Sequence, residues 1–199
     1  MMEIRKVNKH EIVQVVLIHK KAFNDFFLTK LGDKFLWLYY STVSKNKNGI
    51  LIGYYEGENL LGFSCATYLS RGFYSTLVKD NFVKFAIIGI KLVFTKPGSL
   101  IRILKNFSKS DISIRDDGNY AELLSIGVNP GMQGSGIGKQ LLVDLEEQLS
   151  QKGIKQLSLT TDYYKNDKAI GFYKSMGYEI MYEFTAYPNR KMYRLIKNL

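Results

Sequence analysis

Cysteine occurs once in this chain, at Cys65, so an intrachain disulfide is excluded and a multi-cysteine zinc site with it. Histidine occurs twice, at His10 and His19, too far apart to ligate one metal from neighbouring turns of a helix. No metal is therefore expected. Proline is scarce, with three residues, and no stretch is rich in proline or serine that would act as a linker. Long apolar runs are missing too. The longest, residues 82–94, is interrupted by Lys84 and Lys91, and is too short and too charged to span a bilayer. The start, Met1 to Arg5, lacks the apolar stretch of a secretory signal. The expectation is a reducing, cytoplasmic setting.

What is present is an ordinary globular composition: 199 residues, 46% apolar and 23% charged. That suffices for a buried core and argues against disorder, so one domain over 1–199 is expected. The net charge of +10, from 28 basic and 18 acidic side chains, favours anionic partners. A polyphosphate cofactor, a nucleic acid and a membrane surface all qualify. No helix-turn-helix, zinc-finger or RNP pattern is visible, so nucleic acid is not expected.

The chain alternates strand and helix signals. Glu3 to Val7 reads as a strand, and Asn8 with Glu11 has the spacing of a capping box opening a helix to about Phe23. Asp33 to Ser44 reads as a second helix. Gly49–Glu56 and Leu60–Leu69 form a hairpin around a Gly57 turn. Tyr120–Val128 is a strand, Ile137–Lys152 a helix closed by Gly153, and Gln156–Thr161 a strand. A short helix over 166–176 and a final hairpin around Pro188-Asn189 follow. This order predicts an α/β fold with a mixed sheet. Residues 70–117 interrupt the plan between the third and fourth strands. They hold nine Lys or Arg against four Asp and read as a basic helical insertion, two helices split at Pro97-Gly98.

The sharpest motif is Ser125-Ile-Gly-Val-Asn-Pro-Gly-Met-Gln-Gly-Ser-Gly-Ile-Gly-Lys139, a strand running through a glycine loop into a helix. Glycine lets backbone approach a ligand, and a helix start offers free N–H groups and a positive dipole end. The result is a phosphate cradle. It is no P-loop, because Gln133 and Gln140 stand where Gly and Ser or Thr are required. Nor is it a dinucleotide fingerprint, since Lys139 occupies the place of the last glycine.

Val128-x-Pro130-x-x-Gln133-Gly134-x-Gly136-x-Gly138 resembles the acetyl-coenzyme A signature of the GNAT superfamily of N-acetyltransferases. Asn166-x-Lys168-Ala169-x-x-Phe172-Tyr173-x-x-x-Gly177-Tyr178 resembles the second motif of that family. The resemblance implies a mostly antiparallel central sheet flanked by helices, and acetyl-coenzyme A as co-substrate. It implies that Ile126, Gly127 and Val128 pair with the pantetheine arm, with the Val128 N–H polarising the thioester carbonyl. It implies that backbone N–H groups of Gln133, Gly134, Ser135, Gly136, Ile137, Gly138 and Lys139 hold the pyrophosphate. Asn166 then contacts the pantetheine or the acceptor side, Ala169 and Phe172 pack on the cofactor, and Tyr173 brings a phenol near the sulfur.

Transfer to an amine needs a proton acceptor, an oxyanion donor and a donor to the leaving thiolate. Glu122 is the candidate base, read as sharing a strand face with Leu124 and Ile126; the competing reading is a salt-bridged structural carboxylate. Tyr173 is the candidate donor. Substituting either is expected to lower turnover and spare cofactor binding. Cys65 reads as a core residue, and the histidines as surface residues of the first helix, with His19 able to line the acceptor cleft.

Residues 23–32 join the first two helices, where this family lines its acceptor pocket. The segment loosely resembles acetyltransferases found with surface-polysaccharide enzymes. Phe26, Phe27 and Asp162 are therefore candidate acceptor contacts. The expected acceptor is a small-molecule primary amine, foremost an amino sugar or its nucleotide. A protein or peptide amine is the enzyme alternative, and a non-catalytic acyl-coenzyme A module at a membrane surface the other. The insertion has three readings: a cap over the acceptor site, peripheral contact with the inner membrane face through 79–109, or a homodimer interface.

Overall fold

The computed structural model describes residues 1–95 and 116–199. Seven strands form one sheet: β1 (Met2–Lys6), β2 (Gly49–Glu56), β3 (Asn59–Thr67), β4 (Ala121–Val128), β5 (Gln156–Asp162), β6 (Glu179–Ala186) and β7 (Arg190–Asn198). Their order is β1-β2-β3-β4-β5-β7-β6. Hairpin-linked pairs run antiparallel. The pair β4–β5 is parallel, as a helical crossover between them requires. The expected mixed, mostly antiparallel sheet is thus the observed one.

Helices cover both faces, which explains why β2 and β3 read as nearly continuous apolar runs. On one face lie α1 (Ile12–Ala22), the single turn α2 (Phe27–Lys30) and α3 (Asp33–Lys45). Val15, Leu36, Tyr40, Leu51, Phe63 and Cys65 form the core there. On the other face α6 (Ile137–Gln151) and α7 (Asp167–Ser175) pack through Leu141, Leu142, Leu145, Leu149 and Tyr173 onto Ile52, Leu123, Leu157 and Leu195. The leucines of α6 recur at helical spacing, and Gly153 ends that helix at φ +75°.

The capping box is present: the Asn8 N–H donates to Glu11 Oε2 at 2.8 Å. It closes a 3-10 turn, Lys9–Glu11, ahead of α1. Glu11 also receives both Arg5 Nη atoms, at 2.9 and 2.6 Å, and the Tyr55 hydroxyl at 3.0 Å. These donors hold its carboxyl well below the usual range, at about 2, the Arg5 guanidinium contributing most.

Three expectations need correction. His19 is 3% exposed, because the buried stripe Ile12-Val15-Val16-His19 follows the helix period and carries it inward. In the insertion, α4 (Phe73–Asp80) and α5 (Phe82–Thr95) both precede Pro97-Gly98. The stretch before Pro97-Gly98 is thus two helices with an additional break at Asn81, whose amide bonds back to the Leu77 carbonyl. A further helix beyond Pro97-Gly98 lies outside the described residues. Finally, β4 carries a bulge. Cys65 pairs with Ser125 and Ala66 with Leu123, so Leu124 is the extra residue and the strand faces exchange there. Glu122 and Ile126 consequently point to opposite faces.

Candidate active site: a splayed cleft between β4 and β5

β4 and β5 pair only over Ala121–Leu123 and Leu157–Leu159. Beyond this the strands part, and β5 continues against β7 as far as Asp162. A cleft of about 970 Å³ opens in the splay. Its wall includes Ile126, Gly127 and Val128 of β4, Gln133 to Lys139 except Ser135, and Asn166, Ala169, Phe172 and Tyr173 of α7. Residues assigned to the cofactor in three separate stretches are thereby brought to one surface.

Backbone polarity along β4 follows from its pairing. The Asn129 N–H donates to the Leu61 carbonyl on β3 at 2.8 Å. Alternation then turns the N–H groups of Val128 and Ile126 toward the splay, where β5 no longer reaches them. Gly127 faces β3 with its backbone. A Cβ there would lie 2.8 Å from the Phe63 ring of β3 and 3.3 Å from the ring of Phe23, which follows α1, so a side chain at this position would displace both rings.

The cradle is built by positive dihedrals. Gly134 and Gly136 each sit at φ +85°, and Gly136 is the N-cap of α6. The first N–H accepted inside α6 is that of Gln140, by the Gly136 carbonyl at 3.0 Å. Those of Ile137, Gly138 and Lys139 are the ones a helix leaves without internal partners. The cradle is narrower than the sequence suggests. The Gln133 and Ser135 N–H groups are taken by the Pro130 and Met132 carbonyls, and the Ser135 hydroxyl also turns to Met132. Tight turns before the helix consume those two donors. Lys139 and Lys168 add positive charge to the wall. An open cradle ringed by N–H donors and cations fits a pyrophosphate.

On α7, Tyr173 is 9% exposed and packs between Phe172 and Tyr178, with ring centroids at 5.2 and 5.7 Å. Burial pushes its phenol well above the ordinary range, so it is a donor at neutral pH. No partner for its hydroxyl is found among the described residues. Asn166 precedes α7, and its amide donates to Thr161 Oγ1 at 2.5 Å and to the Asp162 carbonyl at 3.0 Å, anchoring the helix start to β5.

The cleft is also lined by His19, Phe23, Phe26, Phe27 and Leu28, and by Thr160, Asp162, Arg190 and Met192. Asp162 is not a free carboxylate. Arg190 binds it through Nε at 2.5 Å and Nη2 at 2.6 Å, and the guanidinium lies 5.1 Å from the Phe26 ring centre. Nothing local in the β6–β7 turn marks Arg190 as the partner of a residue on β5. The β5–β7 register, Asp162 opposite Met192, places them together.

Glu122 lies outside the cleft wall. It is 7% exposed, its Oε1 is 2.8 Å from Arg194 Nη1, and its Oε2 accepts from the Ser70 hydroxyl. Arg194 also stands 3.9 Å from Asp116, which accepts from Tyr120 at 2.5 Å and from Tyr182. The bulge at Leu124 turns Glu122 into this buried ion-pair cluster, which ties the end of the insertion to β7. The geometry is that of the salt-bridged structural carboxylate. Cys65 is fully buried, and burial pushes its thiol well up, as for a core residue. Among the described residues no cluster of His, Cys, Asp or Glu suits a metal ion.

Comparison with known proteins agrees with this geometry. The model of the acetyltransferase (GNAT) family matches residues 14–178. An N-alpha-acetyltransferase, RimI, from Mycobacterium tuberculosis is 40% identical over 58 residues. That match takes in 29% of this chain and 34% of the relative, so the chain spans about a third of the curated relative's length. A ribosomal-protein alanine N-acetyltransferase from Escherichia coli superposes with a TM-score of 0.63 at 14% identity, over 100% of this chain and 94% of the other. The PaiA N-acetyltransferase of Thermoplasma acidophilum, solved with coenzyme A, gives 0.60 at 14% identity, over 100% and 99%.

Proposed function

The chain belongs to the acetyltransferase (GNAT) family, and from that membership we propose that it transfers an acetyl group from acetyl-coenzyme A directly to a primary amine. The observation that carries this reading is the early end of the β4–β5 ladder. It leaves the Val128 N–H without a strand partner, facing a cleft that the α6 cradle also lines.

In this reading the N–H groups of Gly134 and Gly136 to Lys139 hold the pyrophosphate, with Lys139 and Lys168 adding charge. Bound acetyl-coenzyme A supplies the activated acyl carbon. The amine attacks that carbon as its free base, forming the C–N bond. The Val128 N–H stabilises the oxyanion as it develops. The C–S bond then breaks with its electron pair leaving on sulfur, the amine nitrogen gives up its surplus proton to an acceptor in the cleft, and the Tyr173 hydroxyl donates to the departing thiolate. Two substrates held side by side supply the rest of the acceleration, and no covalent enzyme intermediate is needed.

The acceptor end suits a small amine with an apolar face. Phe26 and Phe27 offer that face, and the Asp162–Arg190 pair offers hydrogen bonds to hydroxyl or phosphate groups, so an amino sugar or its nucleotide is the first candidate. A peptide amine is the second reading, favoured by the protein N-acetyltransferases among the relatives. Thiol release with a panel of amino sugars, their nucleotides and short peptides separates the two.

The reading extends to location. No helix among the described residues is long and apolar enough to cross a membrane. Yet α5 exposes Phe82, Val83, Ile87 and Ile90, at 61–69%, beside Lys84. This face fits peripheral contact with an anionic membrane surface. Cosedimentation with phosphatidylserine vesicles at low salt is the expected result, and none would remove this part of the reading.

A further inference from the structure

One buried polar group in the cleft is unused by the steps above. His19, on α1, lines the cleft beside Phe23, their ring centroids 4.9 Å apart. Its Nδ1 lies 2.6 Å from the Tyr40 hydroxyl, and that hydroxyl lies 3.1 Å from Ser125 Oγ on β4. Its Nε2 is buried and has no hydrogen-bond partner. An unpaired polar atom in the interior is costly, and its persistence asks for a partner that arrives with the substrate. The position suits one. Phe23 links His19 to Gly127, whose Cβ position is 3.3 Å from the Phe23 ring, and Val128 follows next on the strand. Burial alone draws the imidazole down to about 4, so it is neutral and able to accept.

We infer that His19 Nε2 takes the proton of the acceptor amine, and that Tyr40 and Ser125 hold the ring in the tautomer that leaves this nitrogen free. This rests on the acetyl-transfer reading and replaces Glu122 as the base. In that tautomer Nδ1–H donates to the Tyr40 oxygen, and the Tyr40 hydroxyl donates to Ser125 Oγ. As the C–N bond forms, one N–H proton of the amine moves to the lone pair of Nε2. The ring becomes an imidazolium, the nitrogen stays neutral, and the C–S electron pair leaves with sulfur. The imidazolium returns its proton to water as products depart. A weakly basic imidazole is adequate, because nitrogen bonded to the tetrahedral carbon is far more acidic than a free alkylammonium. His19 is the catalytic group in this scheme; Tyr40 and Ser125 are positioning residues.

The test compares wild type, His19→Asn, His19→Gly and Tyr40→Phe for acetyl-coenzyme A affinity, kcat and KM. His19→Asn keeps a side-chain nitrogen toward Tyr40 and removes Nε2. Its kcat is expected to fall about 100-fold, with cofactor affinity within twofold of wild type. Added imidazole should restore part of the turnover of His19→Gly and leave wild type unchanged. A folded His19→Asn within threefold of wild-type kcat overturns the inference. Should that variant fail to fold, nitrogen-15 NMR of His19 in the His10→Gln background still decides. An unprotonated Nε2 is expected, and a protonated one overturns the proposal. Wild type that binds acetyl-coenzyme A and acetylates an amine sustains the functional reading whatever His19 does. Wild type that does neither defeats that reading, and this inference with it.

Discussion

Arg194 Nη1 stands 2.8 Å from Glu122 Oε1, in an ion pair whose side chains are 14% and 9% exposed. Removing one member of a buried pair leaves the other charge uncompensated, which costs several kcal/mol. Glu122→Gln is therefore expected to lower stability by about 2–4 kcal/mol in denaturant unfolding. Its kcat and acetyl-coenzyme A affinity, measured well below the midpoint, should stay within a few-fold of wild type. Unchanged stability with kcat lost by 100-fold or more would return the base to Glu122.

The cradle makes a sharper demand on Gly136, at φ +85° and at the N-cap of α6. Alanine there adopts a strained backbone at a cost of about 1–2 kcal/mol and sets a methyl group at the phosphate cradle. Acetyl-coenzyme A affinity is expected to fall at least tenfold by calorimetry. Gly131→Ala is the control. Its Cβ meets nothing within 4 Å, and both stability and affinity should hold.

Tyr173→Phe removes a hydroxyl and keeps the ring that packs on Phe172 and Tyr178. Stability and the KM for acetyl-coenzyme A should change little. The kcat should fall about 10- to 100-fold, the loss of a donor to the leaving sulfur. Rapid-mixing measurement of thiol release, under saturating substrates, reads this directly.

Acid stability follows from two groups whose contributions lie in different pH windows. Burial lowers His19 from 6.5 to about 4, so the unfolded chain takes up a proton first. The His19 contribution to stability should drop by about 3 kcal/mol as pH falls from 6.5 to 4, and that contribution levels below 4. Glu11 is lowered from 4.5 to about 2, chiefly by Arg5. Its contribution is full above 4.5 and is lost as pH falls through 2. Urea titrations from pH 7 to 2 should show both limbs. Glu11→Gln should flatten the lower one alone, and His19→Gln the upper.

Much of the fold was legible from sequence, because its signals are local. Leu141, Leu142, Leu145 and Leu149 mark one helix face, and Gly153 closes it. Gly134, Gly136 and Gly138 announce a strand running through a loop into a helix. Features that depend on pairing were hidden. The bulge at Leu124 exists only against Cys65 and Ala66, and it reverses the face of Glu122 relative to Ile126. Asp162 reads as an acceptor contact, and its ion pair appears only when β7 brings Arg190 to it. His19 already lay on the periodic stripe of Ile12, Val15 and Val16, and its polarity obscured a burial that the spacing contained. The engagement of the Gln133 and Ser135 N–H groups depends on turn geometry that residue types alone do not specify.

The most direct test of acetyl transfer in the β4–β5 cleft is calorimetric titration of the wild-type protein with acetyl-coenzyme A, with thiol release then followed on addition of each amine in the panel. The account predicts saturable binding that Gly136→Ala weakens, and thiol release with at least one primary amine. No binding of acetyl-coenzyme A, and no thiol release with any amine, would contradict it.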